Sequence, residues 1–234
     1  ALIKSFAKFS EKIAVLSAYK EDETLGCWAK EWGTYLVFRR LWEVLGLAKI
    51  LRGIQKGKKV EFDLEKAVFY TVLHRLTEPG SDLQASQWIE RVYDPGRAEV
   101  RYHHLIRAMG YAAEAKEQIE EELFLFERDL FSQLDLVFFD TTSIYFEGEG
   151  PEGLAEFGNS KDYRPFSKQM IIGVVMTREG RPLCCEFWPG NMSDIESLKE
   201  VVRRIKGRFS IERVILVCDR GMVSRENIAF LEKE

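Results

Sequence analysis

The sequence predicts an α/β protein: an α-helical first part leading into a mixed sheet with flanking helices. Three observations predict it. Up to about residue 130 the apolar residues recur with the helical period near 3.6. From about residue 135 the pattern shifts to period two and to short, continuous apolar runs. Two of those runs, Leu136–Phe139 and Val214–Cys218, lead straight into an aspartate: Asp140, followed by Thr141, Thr142 and Ser143, and Asp219, followed by Arg220 and Gly221. The first polar residue after a buried strand is where open α/β sheets place their ligands, although an aspartate there is also a common turn former or helix N-cap. Two such carboxylates, each after an apolar strand suited to the middle of a sheet, are able to share a divalent metal.

The elements follow in order. Tyr35, Phe38, Leu41, Trp42, Leu45 and Ile50 make one amphipathic helix over about 35–51, ending toward Gly53. Asp63 caps the next, which carries Leu64, Val68, Val72 and Leu76 on a face and stops before Pro79-Gly80. Ser81 and Gln84 form a capping box, Asp94-Pro95-Gly96 breaks the chain, and two further helices span about 98–109 and 112–130. Beyond residue 135, the runs 170–176 and 183–188 flank a turn with Gly180 and read as a β-hairpin. Ser193 and Glu196 cap a helix that Gly207 ends, strand 213–218 returns to the sheet, and a last helix starts near Ser224 with Ile228 and Leu231 inward. This is a ribonuclease-H-like order, in which the first and fourth strands lie side by side, so that Asp140 and Asp219 approach each other.

Composition narrows the function. The chain has 234 residues, a formal net charge of −4, and no apolar stretch near the roughly 18 residues that span a bilayer, which points to a soluble protein with no membrane partner. Its four cysteines include no C-x-x-C pair, so a reducing cytoplasm fits better than a disulfide framework. The acidic balance does not advertise nucleic-acid binding, yet Lys49, Arg52, Lys56, Lys58 and Lys59 form one basic stretch, and Lys161, Arg164 and Lys168 another, after an acidic loop with Glu147, Glu149, Glu152 and Glu156. Either is also readable as a solvated face.

Several motifs in this order resemble insertion-sequence transposases of the DDE type, in the branch whose last glutamate sits in a Tyr-Arg-Glu-Lys motif. Asp140-Thr141-Thr142-Ser143 resembles the segment of that family's first catalytic aspartate. Gly158 to Pro165 followed by Lys168-Gln169 resembles its Gly-x-Ser-Lys-Asp-x-Arg-Pro segment, Gly180 to Leu183 and Pro189-Gly190-Asn191 its hairpin and exit turn, and Asp219 to Met222 its second catalytic aspartate. The resemblance covers about residues 60–234. It implies a helical region for DNA binding and assembly over 1–133 and a ribonuclease-H-like catalytic domain over 134–234. It also implies metal-dependent cleavage and strand transfer at insertion-sequence ends, with Asp140 and Asp219 as catalytic residues holding Mg²⁺ or Mn²⁺, two ions in the complete site. Lys161, Arg164, Lys168 and Arg220 are the expected DNA contacts. The expected partners are double-stranded DNA, both transposon ends and target, and a second subunit in a homodimeric active complex. The expected setting is the cytoplasm of a prokaryote, at the nucleoid. No Tyr-Arg-Glu-Lys motif occurs by Glu234, so the catalytic domain reads as incomplete at its C-terminus, and Glu226 and Glu232 read as surface residues rather than the third carboxylate. The alternatives are a catalytically incomplete remnant that binds DNA or a partner without cutting, and another ribonuclease-H-like nuclease.

Overall fold

The computed structural model describes residues 29–127, 136–158, 164, 166–178, 180–209, 215–217 and 223–233. The helical part consists of α1 (Gly33–Val44), α2 (Leu47–Lys56), α3 (Leu64–Thr77), α4 (Asp82–Trp88), α5 (Tyr102–Glu114) and α6 (Lys116–Glu127). The single helix expected over 35–51 is two. Gly46 adopts a left-handed φ of 76°, and the ring of Phe126 in α6 lies 3.1 Å from where a Cβ would stand. A bulkier residue would keep Phe126 out, so the break serves a tertiary contact that periodicity does not report. The caps behave as expected: Asp63 accepts from the Lys66 N–H at 2.9 Å, and Ser81 with Gln84 closes a capping box.

Helix α3 is the axis of this part. The expectation of one apolar face is too narrow, for every residue from Leu64 to Thr71 is buried, together with Leu73 and His74, while Leu76 is exposed. Burying Glu65 and Lys66 with the rest requires partners. Glu65 accepts from Arg39 at 2.5 Å, from the Trp42 indole at 2.9 Å and from Arg52 at 3.3 Å, which ties α1 and α2 to α3. Lys66 is ion-paired with Asp94, which also accepts from the hydroxyls of Tyr35 at 2.7 Å and Tyr70 at 2.5 Å and from the Gly96 N–H at 2.8 Å. Burial alone raises the Asp94 carboxyl pKa, but these donors outweigh it and hold the group below the ordinary carboxylate value.

The sheet contains β1 (Leu136–Tyr145), β2 (Gln169–Thr177), β3 (Pro182–Pro189) and β4 (Ile215–Val217) in the order β3-β2-β1-β4. β1 and β2 are antiparallel, as are β2 and β3, and β4 runs parallel to β1. This is the ribonuclease-H-like order the sequence predicts. Helices α7 (Asp194–Phe209) and α8 (Arg225–Leu231) complete the described chain. Val137, Phe139, Ile171, Val175 and Trp188 share one sheet face and pack on Leu198, Val201 and Ile205 of α7. Gly207 lies inside α7 rather than at its end, and in α8 Asn227 is the buried residue while Ile228 and Leu231 are exposed.

Three motif residues far apart in sequence meet at one corner of the sheet. Gln169, 1% exposed, donates from Nε2 to the Gly190 carbonyl at 2.9 Å, and its backbone bonds Glu156 in both directions at 2.9 and 3.0 Å. A Cβ on Gly158 would overlap the Gly190 carbonyl oxygen, and one on Gly190 would overlap the Gln169 carbonyl oxygen. Only glycine allows these backbones so close.

Helix α6 joins the two parts. Glu120 accepts from the Cys185 N–H of the edge strand β3 at 3.0 Å and pairs with Arg208 of α7 at 2.9 Å. Arg204 pairs with buried Glu186 at 2.5 Å, and Lys116 lies 3.0 Å from Glu120. Burial pushes the Cys184 thiol beneath this cluster to about 12, so it is an inert core residue. No helix among the described residues is long and apolar enough to cross a membrane.

Two outcomes are expected. Gly158→Ala should cost about 2–3 kcal/mol in urea unfolding through forced backbone displacement. By contrast Gly110→Ala, within α5 and facing open space, should gain about 0.5–1 kcal/mol. The second concerns acid. Because the folded Asp94 pKa lies below that of an unfolded aspartate, near 3.9, its contribution is complete above about pH 4 and is lost as pH falls through the folded value. Asp94→Asn should therefore lower stability at pH 7 by about 3–5 kcal/mol, by stranding buried Lys66, and flatten the acid limb of a urea-midpoint profile taken from pH 7 to pH 3.

Candidate active site

Asp140 is the fifth residue of β1, in a strand that has β2 on one side and β4 on the other. It does not end the strand, as the sequence suggested. Pairing with β2 continues residue for residue from Asp140↔Val174 to Tyr145↔Gln169, because Thr141, Thr142 and Ile144 are good strand formers that keep the alternation. What changes at Asp140 is one face. Val137, Phe139 and Thr141 point into the layer under α7 and are buried, whereas Asp140 and Thr142 are exposed on the opposite face. Thr141 donates its N–H to Oδ1 of Asp140 at 2.8 Å, and Asp140 has no ion-pair partner among the described residues.

The same face exposes Ile144, Phe187, Ile215 and Val217. The parallel pairs are Leu136↔Ile215, Val137↔Leu216 and Phe138↔Val217, each joining residues 79 apart in sequence. Asp140 and Asp219 are separated by that same interval. Asp219 and Arg220, with Lys161, lie outside the described residues. No group of three or more His, Cys, Asp or Glu able to hold a metal occurs among the described residues.

Arg164 and Lys168 stand at the far end of β1. The Arg164 guanidinium lies 5.7 Å over the ring of Tyr145, and the Lys168 carbonyl accepts from the Phe146 N–H at 2.9 Å while its Nζ pairs with Glu149 at 2.5 Å. That hydrogen bond holds Lys168 above and Glu149 below their ordinary pKa values. At about 3.3 Å per strand residue, five residues put Tyr145 roughly 17 Å along the strand from Asp140. Both cations are thus remote from the carboxylate, and the Tyr145 side chain that Arg164 covers leaves β1 on the face opposite Asp140.

Glu226 and Glu232 are exposed, and Glu226 lies 3.8 Å from Lys199 of α7, the helix that covers the other face of the sheet. They belong to the surface, as expected. Trp42 is a buried core residue and Trp32 packs edge-on against Tyr93 at 5.9 Å; Trp28 lies outside the described residues. One surface feature has no signature in the sequence pattern. A cleft of about 480 Å³ opens beside α2, lined by Lys49, Arg52 and Lys56 but also by Glu43 and Glu122, the last on α6. Only the basic half of it was visible as a run.

Residues 132–234, the stretch that forms the sheet and its helices, match the family model of the transposase DDE domain. No curated protein matches the chain. Among solved structures it is similar to the Mos1 transposase paired-end complex with left transposon end, at 14% identity over 73% of this chain and 57% of that one, with a TM-score of 0.30. A pre-cleavage Mos1 transpososome is similar at 13% identity over 73% of this chain and 57% of that one, TM-score 0.29. The mariner Mos1 paired end complex with Mg gives 11%, 99%, 68% and 0.27 in the same terms. The chain thus spans little more than half the length of the first of these.

Proposed function

We propose that this protein is a DNA transposase that cleaves insertion-sequence ends and joins the freed 3′ ends to target DNA with the help of divalent metal. The observation that carries the reading is Asp140. It is an exposed carboxylate on the open face of a central strand, beside the parallel strand β4 that precedes Asp219 in sequence, within the stretch that matches a transposase DDE domain.

The donors suit Mg²⁺ or Mn²⁺. A carboxylate free of ion pairing among the described residues, on a solvent-facing surface, is a hard oxygen ligand that leaves room for the waters Mg²⁺ retains. Asp140 and Asp219 would hold the ions, two in the complete site, and the chemistry these supply when bound is activation of the attacking water or 3′-hydroxyl and stabilisation of the leaving oxygen. This chain's own contribution is position. β1 is clamped by β2 from Val137 to Tyr145, and the Thr141 N–H fixes one oxygen of Asp140, so that carboxylate is presented without reorganisation.

Duplex DNA lying along β1 would meet Asp140 at one phosphate. Lys168, with Lys161 between Gly158 and Arg164 in sequence, would then meet the backbone about five base pairs away, since 17 Å is five steps of 3.4 Å, and Arg164 would have to leave Tyr145 to join them. The Gly158–Gln169–Gly190 corner anchors that segment, and Glu149 would have to yield Lys168 to a phosphate. Arg220, next to Asp219 in sequence, is the remaining phosphate contact. Two copies of the chain would act on paired transposon ends.

Incubation with plasmid carrying insertion-sequence ends and Mn²⁺, with products resolved on a denaturing gel, tests the reading. In a chain that carries the third carboxylate the expected result is cleavage at the ends that falls about a thousandfold or more in Asp140→Asn and in Asp219→Asn and is unchanged in Glu226→Gln and Glu232→Gln, whereas residues 1–234 alone should bind the ends and cut them about a thousandfold more slowly. Cleavage that survives Asp140→Asn would overturn the reading.

A further inference from the structure

The acidic loop that follows β1 closes on Lys168. It begins at Phe146, whose N–H donates to the Lys168 carbonyl at 2.9 Å, and ends at Glu156, which exchanges backbone hydrogen bonds with Gln169 at 2.9 and 3.0 Å. Between these points the chain is tightly wound. The N–H groups of Leu154 and Ala155 donate to the Pro151 carbonyl at 3.3 and 2.9 Å, the Leu154 carbonyl accepts from the Gly190 N–H at 3.1 Å, and Ala155 is buried. Gly150 has a left-handed φ of 66°, and a Cβ there would stand 2.5 Å from that of Ala155. The loop therefore presents its carboxylates from a fixed frame. Glu149 sets its carboxylate 2.5 Å from Lys168 Nζ while its side chain is 92% exposed, and Glu156 adds a second negative charge within electrostatic reach of the same lysine.

We propose that Glu149 is an internal stand-in for a DNA phosphate: it occupies Lys168 in the DNA-free chain and has to be displaced when a duplex binds. The proposal rests on the reading of Lys168 as a phosphate contact. A carboxylate offered to a lysine ammonium from an exposed, ordered loop takes the place that a phosphate oxygen takes in a charge-assisted hydrogen bond. So exposed a pair adds little to folding, and its effect is on the competition for Lys168. Every duplex that uses Lys168 gives up this ion pair, whatever its sequence, which lowers affinity by about three- to fivefold. Sites held tightly enough to stay saturated keep their occupancy, whereas DNA held by few contacts loses its own. Salt weakens the Glu149–Lys168 pair as well as the phosphate contacts, so part of the usual loss of affinity with salt is offset while Glu149 is present.

Fluorescence anisotropy with a labelled duplex of arbitrary sequence, about 20 base pairs long, tests this in EDTA, where neither metal nor cleavage enters. At 50 mM salt Glu149→Gln should bind about three- to fivefold more tightly than the parent, and between 50 and 200 mM its affinity should fall more steeply. Glu152→Gln removes a charge from the same loop that has no ion-pair partner among the described residues, and it should change affinity less than twofold. In a Lys168→Gln background Glu149→Gln should likewise gain less than twofold. A Glu149→Gln chain that binds like the parent overturns the proposal. So do equal gains from Glu149→Gln and Glu152→Gln, or a gain that persists without Lys168, since either traces the effect to net charge. Those outcomes leave the transposase reading standing, whereas a parent that binds no duplex overturns both.

Discussion

The cluster of Glu120, Arg208, Glu186, Arg204 and Lys116 fixes the relation between the helical part and the sheet. Helix α6 packs on α2 and α5 through its own side chains and on the sheet through this cluster, where Glu120 caps an open N–H of the edge strand while neutralising Arg208. A buried ion pair of this sort adds little net stability against an apolar replacement, but removing one member strands the others. The result is specificity of docking: the helices meet the sheet at the β3 edge and on the α7 side. The face that carries Asp140 is left open to solvent.

That asymmetry organises the functional reading. One face of the sheet is given to packing, with α7 contributing Leu198, Val201 and Ile205 to the Val137–Phe139 layer. The other exposes a carboxylate amid Ile144, Phe187, Ile215 and Val217. A sheet whose outward face is both apolar and charged is not optimised for water alone. The two pairs of buried charge in the helical part, Glu65 with Arg39 and Lys66 with Asp94, serve a different end: with Arg52 on Glu65, they hold α1 and α2 against α3.

Much of the fold was legible in the sequence because local chemistry and the global arrangement agree. Asp63, Ser81 and Ser224 accept from the backbone N–H groups three residues on, as their type and position predict, and the change of period at about residue 135 marks where helices give way to strands. The failures share a cause: each concerns a contact with something distant in sequence. Gly46 breaks a periodic helix to admit Phe126, β1 runs past Asp140 because β2 is there to pair with it, and Glu65 and Lys66 are buried because Arg39 and Asp94 reach them. Gly158, Gln169 and Gly190 belonged to motifs that drew notice for their likeness to a family, and their physical reason, mutual backbone contact at one corner, needed coordinates. Asp140 was legible as an aspartate following an apolar run, but the roughly 17 Å between it and Tyr145 was not, because spacing along a sequence does not say which strand face or end a loop returns to.

The proposed function stands or falls with a metal held jointly by Asp140 and Asp219. The direct measurement is electron paramagnetic resonance of Mn²⁺ titrated into the protein and into the single variants Asp140→Asn and Asp219→Asn, without DNA. Bound Mn²⁺ is expected in the parent, with at least a tenfold weaker affinity in each variant and no further loss in the double variant. Mn²⁺ bound equally well by Asp219→Asn and the parent, or losses that add independently in the double variant, would contradict a shared site.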